Sequence, residues 1–212
     1  MESANELVYL VDDDRRVQEA LSALLLANGR NVRAFSSGGE FLNTPRQNAV
    51  ACLILDMRMP GMSGLEVQKL IRMDSPIPVI FITGMGDVPS VVLAMKGGAV
   101  DFLTKPVDED ALMRAVDAAL ARAHVLRKEA EDATMLQALY QSLTPREQEI
   151  LPLLASGLLN KQAAGILGIT EYTVQVHRGH IMRKMQADSF AALVKQASKL
   201  QLEASPKTTF NA

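Results

Sequence analysis

The chain has 212 residues, 48% of them apolar and 4% aromatic, with 22 Lys/Arg against 24 Asp/Glu. That length allows one or two domains with cores of their own, and no apolar run approaches the roughly 20 residues of a membrane span. The opening Met1-Glu2-Ser3-Ala4-Asn5-Glu6 lacks the basic flank and apolar core of a signal peptide, and the single Cys52 excludes an internal disulfide, so a cytoplasmic protein with a reduced core thiol is expected.

In chain order, four apolar runs of the first half end in polar residues. Residues 7–11 run into Asp12-Asp13-Asp14, 51–55 into Asp56, 79–82 into Thr83, and 100–104 into Lys105-Pro106. Helices are predicted over residues 17–27, 38–42, 65–72, 88–96 and 109–120, a five-fold strand–helix alternation from residue 7 to about 120. Short β-rich runs alternating with amphipathic stretches give an α/β domain, a parallel sheet covered by helices on both faces. Ligands of such sheets bind beyond the carboxyl ends of the strands, which brings these polar residues to one edge.

From Val107 to Thr144 there is neither Gly nor Pro, and Asp108 is a good N-cap for a helix that meets no breaker. Ala123, Leu126, Ala130, Ala133 and Tyr140 fall at heptad-like positions within it, compatible with a solvated helical linker or with a weak dimer seam. Thr144, Pro145 and Glu147 then form the signature of a capped helix start. Helices are predicted over 145–155, 161–167, 171–185 and 190–200, with Gly157 and Gly168 ending the first two. Short helices joined by tight turns make a small all-α helix-turn-helix domain. The division expected is 1–121, a linker at 122–143, a helical domain at 144–202 with its helix-turn-helix at about 160–179, and a disordered tail at 203–212. Residues 1–143 hold 14 Lys/Arg against 19 Asp/Glu and residues 144–212 hold 8 against 5, an asymmetry that points the second domain toward nucleic acid.

A single Asp at a strand end is usually a turn residue, but four strand ends in the right order are a phosphoryl site. Asp12, Asp13 and Asp56 crowd together in this reading and favour a bound cation, for which Mg²⁺ is suited. Asp56 stands alone at its strand end and is the expected nucleophile. Lys105 neutralises charge, and Thr83 donates a hydrogen bond to a phosphoryl oxygen. A haloacid-dehalogenase-type phosphatase uses similar residues, but its second Asp would fall at position 58, which is Arg58. Gly84-Met85-Gly86 lacks the third glycine of a dinucleotide loop and is set aside.

Val11-Asp12-Asp13, the stretch from Asp56 through Gly64, Thr83-Gly84 and Asp101 through Pro106 together resemble the receiver of two-component response regulators. That resemblance implies a flavodoxin-like five-stranded parallel sheet of order 2-1-3-4-5. It also implies Asp56 as phosphoacceptor, with Asp12, Asp13, Asp56 and the Arg58 carbonyl as Mg²⁺ ligands. Thr83 and Phe102 are the implied switch pair, and the Lys105–Pro106 bond is implied to be cis. Arg58 and Met85, two positions after Asp56 and Thr83, are expected to slow loss of the phosphoryl group. Residues 143–151, 157–164, 169–178 and 181–185 are similar to LuxR/NarL-type DNA-binding domains, and the combination resembles the FixJ subgroup with its StyR-like members.

Helical spacing puts Val174, Ile181 and Met185 on one buried face, leaving a face of the same helix for a major groove. Gln175 and Arg178 are expected to read base edges, with Val176 and His177 beside them. Asn160, Lys161, Thr173 and Lys184 are expected at phosphates. His177 and His180, three apart, raise the thought of a metal, but no Cys or carboxylate joins them, so packing or phosphate contact is the favoured reading. Gly179 weakens direct readout at its position and costs the helix up to ~1 kcal/mol. The expected function is a phosphorylation-activated DNA-binding transcription regulator. A sensor histidine kinase, promoter DNA and RNA polymerase are its partners, and it forms a homodimer on phosphorylation. The alternatives are an aspartyl-phosphatase-like enzyme, or a receiver whose helical domain binds protein.

Overall fold

The computed structural model describes residues 6–74, 76–84 and 88–202, so the expectations on Met85 and on the tail 203–212 lie outside the described residues. The chain divides between Lys128 and Glu129 into two compact units.

In the first unit β1 (Glu6–Val11), β2 (Val32–Phe35), β3 (Val50–Asp56), β4 (Val79–Thr83) and β5 (Asp101–Thr104) form one parallel sheet of order β2-β1-β3-β4-β5. Strand order and class are as the sequence implied. Every residue of β3 is buried, because the strand is central and both its faces carry helices. Side chains alternate between the two faces. Tyr9, Leu53, Leu55 and Phe81 enter one core with Phe35 and Phe41, while Leu10, Cys52, Ile54 and Ile82 enter the other. Burial pushes the Cys52 thiol up to about 12, which leaves it an inert core group.

Five helices connect and cover the sheet: α1 (Arg15–Ala27), α2 (Gly38–Asn43), α3 (Gly64–Asp74), α4 (Val88–Lys96) and α5 (Glu109–Gln141). Asp14 caps α1 by accepting from the Arg16 N–H at 2.8 Å, and Asp108 accepts from the Ala111 N–H at 2.9 Å as α5 begins. Leu112, Ala115, Val116, Ala119 and Ala123 of α5 are buried in the second core of this unit.

The second unit contains α6 (Pro145–Ala155), α7 (Asn160–Leu167), α8 (Glu171–Lys184) and α9 (Phe190–Lys199). Thr144 and Glu147 make the reciprocal cap: the Thr144 N–H donates to Glu147 Oε2 at 2.8 Å, and the Glu147 N–H donates to Thr144 Oγ1 at 3.3 Å. Gly168 closes α7 at φ 64°, a left-handed position that glycine reaches without steric cost and that makes the turn into α8 short. Ile150, Leu154, Val174, Ile181, Met185 and Leu193 form the core, and Leu136, Leu139 and Tyr140 of α5 pack on it. Of the heptad-like residues, Ala123 lies in one core and Tyr140 packs on the other, while Ala130 and Ala133 are exposed. No helix among the described residues is long and apolar enough to cross a membrane.

Candidate functional site

Register dictates what meets at the carboxyl edge of the sheet. Val11 pairs with Leu55, so Asp12 follows β1 beside Asp56 at the end of β3; Asp56 pairs with Ile82, which places Thr83 next along β4. Thr83 pairs with Thr104, and the Lys105 N–H donates to the Thr83 carbonyl at 2.7 Å, which brings Lys105 to the same edge. Four residues from sequence positions 12 to 105 therefore line adjacent strand ends. One carboxylate oxygen from each of Asp12, Asp13 and Asp56 lies within 4.8 Å of the others.

Burial and charge give this edge its chemistry. Asp12 and Thr83 are buried, Asp56 is 5% exposed, and Asp13 is open to solvent. Burial is the main influence raising the Asp56 carboxyl above its ordinary value; Asp12 and Asp13 add to it and Lys105 opposes it. Lys105 Nζ lies 2.6 Å from Asp12 Oδ2 and 3.4 Å from Asp56 Oδ1, so it binds Asp12 more closely than the expected nucleophile. Burial alone would lower the Lys105 pKa, but the two carboxylates outweigh it and the ammonium is held charged. Asp12 is fixed by the Asp14 N–H, which donates to its Oδ1 at 2.9 Å, and by Gln18, whose amide donates to the carbonyls of Asp12 and Phe35. Gln18 carries no signal in the sequence: its role exists only because α1 starts over the end of β1.

The loop after Asp56 is equally constrained. Gly61 turns it at φ 79°, and the Gly64 N–H donates to the Met57 carbonyl at 3.1 Å. A Cβ on Gly64 would stand 2.3 Å from the Asp56 carbonyl oxygen, so only glycine lets α3 start this close to the site. The Arg58 side chain is exposed, Phe102 is half-buried against the first core, and the Lys105–Pro106 peptide is cis. Three oxygen-donor carboxylates, one of them unfavourably buried, beside a lysine fit a hard divalent cation that retains waters, which is the chemistry of Mg²⁺.

The second unit offers a different surface. Val174, Ile181 and Met185 are fully buried, which turns the opposite side of α8 to solvent. Gln175 and Val176 are exposed there, together with Tyr172, Gly179 and Arg183 at spacings of three, four, seven and eleven from Tyr172. Tyr172, 75% exposed, and Arg183 were legible by that spacing yet absent from the expected set. Lys161 is exposed and Asn160 half-buried at the start of α7.

Other expected DNA residues are half-buried, and most of them have partners within the unit. Arg178 stacks over the Phe190 ring at 4.1 Å, the Thr173 hydroxyl shares a 2.8 Å hydrogen bond with that of Thr170, and His177 is half-buried. Lys184 Nζ lies 2.6 Å from Oε2 of Glu147, a carboxylate 2% exposed. Burial alone would raise the Glu147 pKa, but Lys184 and the Thr144 donors hold it below the ordinary carboxylate value. In the free protein Lys184 is therefore held by a partner within its own unit.

Comparison with known proteins covers both units. Residues 8–117 match the family described as response regulator receiver domain, and residues 141–197 match bacterial regulatory proteins of the luxR family. The response regulator protein TmoT of Ectopseudomonas mendocina is 47% identical over 95% of this chain and 92% of its own length. The transcriptional regulatory protein FixJ of Bradyrhizobium diazoefficiens is 38% identical over 91% of this chain and 94% of its own. The solved structure of the response regulator StyR superposes with a TM-score of 0.76 at 46% identity, covering 92% of this chain and all of that one.

Proposed function

This chain belongs to the response regulators that join a receiver domain to a LuxR-family DNA-binding domain, and from that premise we propose that Asp56 accepts the phosphoryl group that controls DNA binding by α8. The observation that carries this reading is the gathering of Asp12, Asp13 and Asp56 within 4.8 Å, with Lys105 Nζ reaching two of them. An Asp56 carboxylate oxygen forms the new bond to phosphorus as the P–N bond to a sensor kinase's phosphohistidine breaks, and the bonding pair returns to the imidazole. Asp12, Asp13, Asp56 and the Arg58 carbonyl would hold Mg²⁺. When bound, that ion supplies neutralising charge at the phosphoryl oxygens. Lys105 moves from Asp12 toward the new dianion, and the Thr83 hydroxyl donates to another of its oxygens. Phe102 then turns into the space that Thr83 leaves.

The surface beside this switch is α4, which exposes Val88, Val92, Leu93 and Met95 and buries Ala94. Phosphorylation joins two copies there into a homodimer that presents two α8 faces to promoter DNA. Gln175, with Val176 and Tyr172 beside it, reads base edges. Asn160 and Lys161 meet phosphates. RNA polymerase is the partner at the promoter, and the cytoplasm is the place of action. In acetyl phosphate and Mg²⁺, intact-mass measurement should show one added phosphoryl group, and reductive trapping of the acyl phosphate should place it on Asp56. Undiminished labelling of Asp56→Asn would overturn the assignment.

A further inference from the structure

In the DNA-binding unit, two histidines of one helix meet a carboxylate from another, some thirty residues earlier in the chain. Glu147 of α6 and His177 and His180 of α8 bring a carboxylate oxygen and one ring nitrogen apiece within 4.8 Å of one another. We propose that these three residues bind a divalent transition metal of the zinc class, which ties α6 to the helix that faces DNA.

Three features favour a ligand set over ordinary packing. The first is the carboxylate. Glu147 is 2% exposed, and its Oε2 is already held by the Thr144 N–H at 2.8 Å and by Lys184 Nζ at 2.6 Å, while Oε1 faces His180 Nδ1 at 3.8 Å. Donors fixed on one oxygen orient the other, as outer-shell partners orient metal-binding carboxylates. The second is the histidine pair. His177 and His180 stand one turn apart on α8 with their rings edge to face, centroids 6.4 Å apart, a spacing that small side-chain rotations close around one ion. The third is an unmet need. His177 Nδ1 is buried and has no hydrogen-bond partner among the described residues, although buried polar atoms of this kind are nearly always satisfied.

The ligand chemistry selects the metal. Two imidazoles and one carboxylate suit Zn²⁺, Co²⁺ or Ni²⁺, whereas Mg²⁺ prefers oxygen ligands alone. The site is thus chemically distinct from the three-carboxylate edge of the receiver. Three protein ligands leave a fourth position for water. Glu147 lies at the capped start of α6 and the histidines lie in the middle of α8, so occupancy braces α8 along the length that carries Gln175, Val176 and Gly179.

The test uses the full-length protein in saturating Mg²⁺, titrated with Co²⁺ as a coloured stand-in for Zn²⁺. Wild type should develop visible absorption bands of nitrogen-ligated cobalt at one equivalent, and Zn²⁺ should bleach them. Asp12→Asn should keep the bands, because it alters only the receiver edge. His180→Ala should lose them or weaken binding by at least about tenfold, given that even outer-shell changes cost that much. His180→Asn retains a polar side chain but no imidazole; it should melt like metal-free wild type and also fail to bind, which separates ligand loss from misfolding. Absence of bands in wild type, or equal bands in His180→Asn, would overturn the proposal. So would bands that disappear with Asp12→Asn and survive the His180 variants.

Discussion

The receiver edge and the exposed face of α8 are built in opposite ways. The edge draws Asp12, Asp56, Thr83 and Lys105 from four strand ends and buries Asp12, Asp56 and Thr83 almost completely. The α8 face comes from one 14-residue helix whose outward residues ride on the packing of Val174, Ile181 and Met185 beneath them. A site assembled from distant strands ties its chemistry to the stability of the whole sheet. A face carried by one helix leaves each outward residue nearly independent of its neighbours, so substitutions there change recognition with little effect on folding. The two regions should therefore respond very differently to small changes.

The largest difference is expected between two glycines. Gly64→Ala drives a Cβ into the Asp56 carbonyl at 2.3 Å, a backbone atom that cannot yield without moving the end of β3. It should cost the receiver about 3 kcal/mol, the upper part of the usual range for overpacking, and should reduce phosphorylation as well. Chemical denaturation followed by receiver-specific hydrogen exchange would show it, and a loss below about 1 kcal/mol would mean that the loop is looser than described.

Next comes Glu147→Gln, which removes a buried charge from Lys184 and weakens the cap of α6. A loss of about 2 kcal/mol confined to the second unit is expected. This loss should depend on pH. The Glu147 carboxyl is held below its ordinary value of 4.5, so its contribution is fully present above that value and fades as pH falls through the lowered one. Wild type and variant should converge in that acid window, which thermal melts across pH can follow.

Asp56 should behave with the opposite sign. Its carboxyl is raised above the ordinary 3.8, chiefly by burial. The cost of ionising it in the fold sets in as pH rises from that value through the raised one. Without metal, Asp56→Asn should match wild type at low pH and melt higher at neutral pH, and Mg²⁺ should narrow the gap by stabilising wild type alone. The smallest effect belongs to Gly179. A Cβ there meets nothing within 4 Å, so Gly179→Ala should stabilise α8 by up to ~1 kcal/mol and leave the receiver unchanged.

What the sequence disclosed follows the same contrast. Strands buried on both faces read as apolar runs, so β1, β3 and β4, and the polar residues ending them, were legible; β5, an edge strand whose residues are half-buried or exposed, was legible through the short run that ends in Lys105-Pro106. β2 was not: it is an edge strand of four residues with Arg33 inside it and only Phe35 buried, and no apolar run marks it. In the second unit, periodicity identified the buried face of α8 through Val174, Ile181 and Met185. It could not reveal which outward side chains find partners. Arg178 on Phe190, Thr173 with Thr170 and Lys184 with Glu147 all depend on neighbours supplied by the turn and by other helices. The long breaker-free stretch disclosed the helix but not the use of its apolar residues: Ala115, Ala119 and Ala123 enter one core, Leu136, Leu139 and Tyr140 pack on another, and Val125, Ala130, Ala133 and Met135 are exposed.

The central claim is that charge added at Asp56 controls what α8 does on DNA. It is tested most directly by footprinting full-length protein on its promoter with and without acetyl phosphate in Mg²⁺, beside Asp56→Asn. Protection by wild type should appear at a markedly lower protein concentration when acetyl phosphate is present, and Asp56→Asn should bind equally weakly with and without it. Equal response of the two proteins to acetyl phosphate, or no response in wild type that mass measurement shows to be phosphorylated, would contradict the account.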